Sequence, residues 1–541
     1  MTQPAQPDQS TQPDPSSQPD QPTASSAAEP ASPISRAAVE DVARMLPAWL
    51  ETNRALRSQT GIQAAIWHDG ELVTEVAVGP ADLPRGIELQ PTHRLRIASH
   101  SKTFTALAIM RLVEQGRVRL DDTLGERVPE LADAPVADRT LRDLLSHSAG
   151  LTRDSSDARW WRLGIPFADR EQLLRIAREE AVRCEAGLHL QYSNIGYGLL
   201  GLVIEKATGQ SFAEAVTALV LKPVGVENIG PDLPAKAPDA GTADGFAAGH
   251  TSLLHGPRVV VEQIPTGTLA AATGFWASAG AIATFAGKVL TADALLEPGS
   301  LRQLRRRVWT LQDGGHYGLG LQEGRLHGFS VIGHSGGFPT GLSRTWAAPA
   351  ERLAVSVIGT AVDAPSSEIA HGILGLLALA AGRPAPRADE WECSGAQGGA
   401  SNGRPRPAVL EEQPTLELED TEVPAAQLAE TLVGTYDSLW GRMRLAMLGG
   451  RLFALDEAAL DPASSALELA VARLGTDPIE PGTTVVELDT WGDAGYGTWA
   501  EPLLARVVRE DGRLRCTGLI DTGQVQTPSA DFHMPPRIVA P

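Results

Sequence analysis

Cysteine is scarce: Cys184, Cys393 and Cys516 are the only three in 541 residues, and they lie far apart. An odd, sparse set is neither a disulfide framework nor a zinc site, so we expect reduced thiols in a reducing, cytoplasmic compartment. No apolar run approaches the roughly 18–20 residues of a membrane span without a Gly, a charge or a turn signal. Basic clusters are missing too, apart from Arg302 to Arg307, which has helical character. A formal net charge of −20 repels phosphate backbones, which argues against a nucleic-acid partner. There is no H-E-x-x-H, no Cys/His cluster and no phosphate-binding glycine loop, so neither metal nor cofactor is expected. The N-terminus lacks the basic start and apolar stretch of a secretory signal. Met1 to about Ser35 contains no Lys or Arg and is dominated by Pro, Gln, Ser and Asp, so 1–35 is expected to be a disordered tail.

What is present suits an ordinary soluble protein. Hydrophobic residues make up 43% of the chain, enough for a large core. Helical periodicity runs from Ala38 to about Arg57. Two strand-like runs follow, Gly61 to Trp67 and Glu71 to Gly79, joined by His68-Asp69-Gly70, a hairpin signal. Apolar spacing is mostly helical from Ile97 to Leu221. Strands return at Phe329 to Ile332, Leu342 to Ala347 and Leu353 to Ile358, before an apolar helix at Ser367 to Ala381. The pattern predicts a mixed α/β domain over 36–384: an antiparallel sheet flanked by helices, with a large helical insert. Residues 385–424, rich in Gly, Pro, Ser and Glu, read as a linker. From 425 to 541 short strands and hairpin turns such as Met447 to Arg451 and Glu510 to Arg513 predict a small all-β barrel or sandwich.

The strongest chemical signal is Ile97-Ala98-Ser99-His100-Ser101-Lys102. Three residues apart on a helix, Ser99 and Lys102 share a face. The helix that follows is apolar nearly all round and should be buried. Burial disfavours an ammonium; taking a lysine from about 10.4 to about 7 requires about 4–5 kcal/mol, which a desolvated helix start can supply. A free amine beside a hydroxyl is a base beside its nucleophile. Two further segments present polar groups at the edge of apolar elements: Gln191-Tyr192-Ser193-Asn194, before a second apolar helix, and Gly333-His334-Ser335-Gly336-Gly337, at a strand end where glycines admit a ligand to the backbone.

In that order, Ser99-His100-Ser101-Lys102, Tyr192-Ser193-Asn194 and His334-Ser335-Gly336 resemble the three motifs of the penicillin-recognising serine hydrolases, especially class C β-lactamase-like esterases, D-aminopeptidases and D-alanyl carboxypeptidases. Leu144-Leu145-Ser146-His147-Ser148-Ala149-Gly150-Leu151 resembles a further segment of that family, with Ala149 where Ser is usual. The likeness covers roughly 40–380. It implies a β-lactamase/transpeptidase-like fold, with Ser99 as the acylated nucleophile and Lys102 and Tyr192 as its proton acceptors; which of the two is the base stays open. It further implies that Asn194, His334, Ser335, Gly336 and Gly337 bind substrate, with the Ser99 and Gly337 N–H groups as oxyanion hole. His334 stands where the family carries Lys. A mostly neutral side chain there should weaken preference for a free carboxylate beside the scissile bond.

Gly333 to Gly337 also matches the G-x-S-x-G nucleophile elbow, but an elbow must feed into a helix and here a strand-like run follows. Trp160-Trp161 reads as packing, a lid or a pocket wall; His147 as a structural imidazole; Trp491 to Trp499 as a hairpin loop or an element reaching the cleft. The expected activity is ester or amide hydrolysis of a small-molecule or peptide substrate, of the esterase or D-aminopeptidase/amidase kind. The alternatives are a D,D-carboxypeptidase or β-lactamase, or a covalent binder without turnover.

Overall fold

The computed structural model describes residues 33–234, 237–242, 245–311, 314–383, 406–418, 420–491 and 501–535. The tail expected over 1–35 lies outside them except for its last three residues. These are fixed: the Ser35 hydroxyl accepts from Ala38 N at 3.2 Å, and Ile34 N donates to Glu351 at 2.8 Å.

Ser35 caps α1 (Arg36–Leu56), whose Val39, Val42, Leu46 and Leu50 bury one stripe at helical spacing. The hairpin β1 (Ile62–His68) and β2 (Glu71–Val78) follows, with Asp69 and Gly70 both at positive φ in its turn. Then come α2 (Ser101–Glu114), α3 (Asn194–Thr208) and α4 (Ala279–Ala286). Strands return as β3 (Trp309–Thr310), β4 (His316–Tyr317), β5 (Gln322–Leu326), β6 (Phe329–Phe338), β7 (Gly341–Ala348) and β8 (Leu353–Gly359), followed by α5 (Ser366–Ala380). The eight strands form one antiparallel sheet in the order β3-β4-β5-β6-β7-β8-β1-β2, so the first hairpin docks on the last strand. One face is covered by α1 and α5; the other packs on α4 and the helical region holding α2 and α3. The apolar run at Phe329 to Ile332 extends further than expected: His334 to Gly337 lie within β6, paired with β7, not beyond a strand end.

The second module is a closed eight-stranded barrel of Gly434–Ser438, Gly441–Leu448, Arg451–Asp456, Leu467–Thr476, Thr484–Trp491, Leu503–Glu510, Arg513–Asp521 and Gln524–Pro528. Leu445, Leu452, Leu469, Val486, Leu488 and Leu519 fill its core, and α6 (Ala425–Leu432) packs Leu428 and Leu432 against it. The presumed linker ends earlier than composition suggested. Thr415–Leu418 and Thr421–Pro424 pair as a hairpin, because Leu418 and Val423 join the barrel core despite their charged neighbours.

Candidate functional site

Ser99 lies in a single tight turn, Ala98–His100, that leads into α2. Ala98 is held at φ 46°, a conformation L residues seldom adopt, and is fully buried. The surrounding bonds fix it: His100 N and Nδ1 both reach Ile97 O, and Ser101 Oγ donates to Ala98 O at 2.5 Å while accepting from Phe275 N at 2.9 Å.

One turn on, Lys102 is wholly buried. Its Nζ lies 3.3 Å from Ser99 Oγ, 2.8 Å from Asn194 Oδ1 and 3.0 Å from Ala272 O. Burial pushes this amine well below the usual lysine range; buried Asp154 pulls it back in part, and Arg153 adds to the lowering. A neutral amine has two N–H groups and one lone pair. The two carbonyl oxygens take the two hydrogens, which leaves the lone pair for the Ser99 hydroxyl. The arrangement can accept a proton from Ser99.

Tyr192 and Asn194 arrive at the head of α3, which Ser193 caps by accepting from Gly196 N at 2.8 Å. The Tyr192 ring is buried, its centroid 4.6 Å from Lys102 Nζ. His147 clamps it from both sides in sequence: Gln191 N donates to His147 O at 2.8 Å and Ser193 N to His147 Nδ1 at 3.1 Å. The imidazole also packs 4.2 Å from the phenol ring. Burial holds His147 neutral, well below the usual histidine range, as an acceptor at Nδ1 requires. Asn194 donates its Nδ2 to both Asp154 oxygens, at 3.0 and 3.2 Å. It thereby links Lys102 to a buried carboxyl that burial pushes upward. Asp154 belongs to no motif and was missed.

The third segment divides. Neighbours on a strand face opposite ways. Ser335 and Gly337 line the cavity beside Ser99, whereas His334 is 2% exposed and does not. Its Nδ1 lies 2.6 Å from Ser335 O and its Nε2 3.2 Å from the Tyr317 hydroxyl, so the ring is spent on protein partners. The expectation that His334 contacts substrate is corrected: it supports β6 from behind, and burial keeps it well below the usual histidine range. Gly336 is needed for close approach, since a Cβ there would lie 2.1 Å from Ile97 O. This contact seats the strand against the Ser99 turn. Ser335, in mid-strand between β5 and β7, is no nucleophile elbow.

Ser99, Tyr192, Asn194 and Ser335 share a cavity of about 340 Å³ whose far wall is the barrel. Ser438, Trp440, Asp521 and Gln524 complete it, together with Arg153, Trp161 and Arg162 of the first module. The barrel is anchored by Trp440 Nε1 donating to Trp161 O at 3.0 Å, Ala158 N donating to Gly523 O at 2.8 Å, and Glu501 accepting from Arg153 N at 2.6 Å and Gln191 Nε2 at 3.0 Å. Of the expected Trp pair, Trp161 is a wall and Trp160 packs against Phe167. The stretch Trp491 to Trp499 lies outside the described residues beyond Trp491. The barrel reaches the cleft through other turns, which carry no motif. Among the described residues no group of His, Cys, Asp and Glu is arranged to hold a metal ion, and no helix is long and apolar enough to cross a membrane.

A helix-flanked antiparallel sheet, with a serine and a buried lysine one turn apart at the head of a central helix, defines a β-lactamase type of fold. Residues 47–380 match the Beta-lactamase family, and the chain belongs to that family of hydrolases. Esterase EstB of Burkholderia gladioli is 33% identical over 193 residues, 33% of this chain and 49% of the esterase, so the match spans about half of that protein's length. The crystal structure of SurE is similar over 91% of this chain and 100% of its own, with TM-score 0.55 and 23% identity. The D-amino acid amidase of Ochrobactrum anthropi SV3 is similar over 63% of this chain and 98% of its own, with TM-score 0.53 and 21% identity. At such identities the structural likenesses are of fold.

Proposed function

We propose that this chain is a serine hydrolase that cleaves ester or amide bonds through an acyl-enzyme, of the esterase or D-amino-acid amidase kind. The observation that carries the reading is the Lys102 amine: buried, bonded to two carbonyl oxygens, with its remaining valence directed at Ser99 Oγ. Ser99 attacks the carbonyl carbon and its proton passes to Lys102, with the Tyr192 phenol beside it as relay to the leaving group. The N–H groups of Ser99 and Gly337 would receive the oxyanion; one such donor is worth about 10²–10³ in rate. The leaving alcohol or amine takes the proton, and water, losing its proton to the same base, releases the acid. The named esterase and amidase among the similar proteins support this choice.

The test is a panel of p-nitrophenyl butyrate, D-amino-acid amides, dipeptides and nitrocefin, with mass spectrometry of the acylated protein. Ester or amide turnover, abolished together with acylation in Ser99→Ala, is the expected result. A stoichiometric burst without turnover would identify a covalent binder. Faster cleavage of nitrocefin than of esters and amides would favour a β-lactamase. Unchanged activity in Ser99→Ala would sink the reading.

A further inference from the structure

The barrel-side wall of the cavity carries charge that the proposed chemistry does not use. Arg162 ends the tight turn Arg159–Arg162, which stops at Leu163 with φ 57°. The barrel holds this turn at both ends: Trp440 Nε1 bonds Trp161 O, and Gly523 O accepts from Ala158 N. Gly523 permits that contact, since a Cβ there would meet Ser155 O at 2.1 Å. The turn is thereby held in place, and Arg162 lines the cavity. Yet its Nε and Nη2 are buried without a hydrogen-bond partner among the described residues. Buried donors left unpaired are destabilising, and a native protein retains few of them without a use. Arg153 lines the same space. Asp521, at the end of a barrel strand, lines the same space; burial raises its own carboxyl, and its charge offsets in part the lowering of Arg162 by burial. Burial lowers Arg162 only to about 10, so it remains a cation at neutral pH. His334, by contrast, is neutral and turned away, so positive charge enters this cavity from the Arg153 and Arg162 wall and not from the third-motif strand.

We propose that Arg162, assisted by Arg153, binds a carboxylate carried by the substrate at its barrel-facing end, away from the scissile carbonyl. A guanidinium fork matches a carboxylate with two parallel N–H···O bonds. The substrate class is thus an ester or amide with a remote acid group, and the barrel acts as a specificity module by holding the turn that carries Arg162. This inference rests on the hydrolase reading for the word substrate, but the binding site itself is testable without catalysis.

The experiment uses full-length Ser99→Ala protein, titrated calorimetrically with monoethyl glutarate and with diethyl glutarate, which differ by one carboxylate. The mono-acid is expected to bind at least about tenfold tighter, with the ratio shrinking as salt rises. Adding Arg162→Met should bring the ratio close to one, while Arg162→Lys, which keeps the charge but not the fork, should retain part of it. Equal affinities, or no binding of the mono-acid up to about 10 mM, would overturn the proposal. So would a preference that survives in folded Ser99→Ala/Arg162→Met protein. If the Met variant fails to fold in a thermal melt, the acid-to-ester ratio in the Arg162-containing protein decides alone. Whether the unmodified chain hydrolyses p-nitrophenyl butyrate bears only on the hydrolase reading, so the two ideas fail separately.

Discussion

On the α2–α3 wall of the cavity, polar groups are tied to one another: Lys102 Nζ has three oxygens within 3.3 Å, and Asn194 uses both ends of its amide. Across the space, Arg162 has two buried nitrogens with no hydrogen-bond partner among the described residues. The first wall is built from side chains that follow one another along two helix starts, inside the largest apolar cluster among the described residues. The second is assembled from segments of two modules that meet through a few hydrogen bonds. Proton transfer demands fixed distances, and a satisfied, buried network supplies them. Recognition demands groups that still have something to bind, and these sit where the two modules meet.

Three changes probe that contrast. The largest effect belongs to Lys102→Met, which keeps the volume and removes the amine. A fall in kcat/KM of about 10³–10⁵ is expected, measured on whichever ester the panel identifies. The parent pH profile should also respond. Because burial lowers the Lys102 pKa, the amine is uncharged above that lowered value, and activity is lost as pH falls through it. An acid limb that persists unchanged in the methionine variant would assign it to another group.

Gly523→Ala strikes the opposite wall. Its φ of 76° and the 2.1 Å approach of a new Cβ to Ser155 O force the turn apart. About 1–3 kcal/mol of lost stability is expected in denaturant melts. KM should rise more than kcat falls, since the Ser99–Lys102 pair is untouched. A loss confined to kcat would contradict the division of labour between the walls.

The smallest effect on turnover is that of Glu501→Gln, whose reach is stability alone. Burial raises the Glu501 carboxyl from 4.5 to about 7, so the folded protein binds a proton there that the unfolded chain releases. Its contribution to stability is complete below the unfolded value and is lost as pH rises through about 7. Glutamine keeps the acceptor for Arg153 N and Gln191 and has no charge to bury. The variant should match the parent at pH near 4.5 and exceed it above 7, by at most about 3 kcal/mol. Parallel melting curves across that window would show that the Glu501 contact does not govern barrel docking.

Much of this was legible in the residue order, for local reasons. Asp69-Gly70 marks a hairpin because only such residues accept its turn, and the apolar helices after Ser99 and Asn194 announce their own burial. That brought Ser99, Lys102, Tyr192 and Asn194 into view as a group, and the fold gathers them. Spacing could not tell which side of β6 faces the cavity, so His334 was assigned to the wrong one. The three-residue gap between Ser99 and Lys102 is a property of a helix. The meeting of Arg153 with Glu501, 348 positions apart, is a property of how two modules dock. Asp154, Arg162, Trp440 and Asp521 are of the second kind: loop residues with no periodicity, given meaning only by what arrives opposite them. The linker misreading has the same origin, since Leu418 and Val423 sit among charges that hide two apolar contacts.

The segment between Asp521 and Gln524 is the tip of a two-stranded hairpin, a place where chains tolerate insertion and exchange of residues. On the proposed reading, a longer or differently charged tip would change what the cavity admits and leave the Ser99–Lys102 pair as it is. Change in what is eaten and constancy in how it is cut can therefore proceed along separate evolutionary tracks, because the two are written on different pieces of chain.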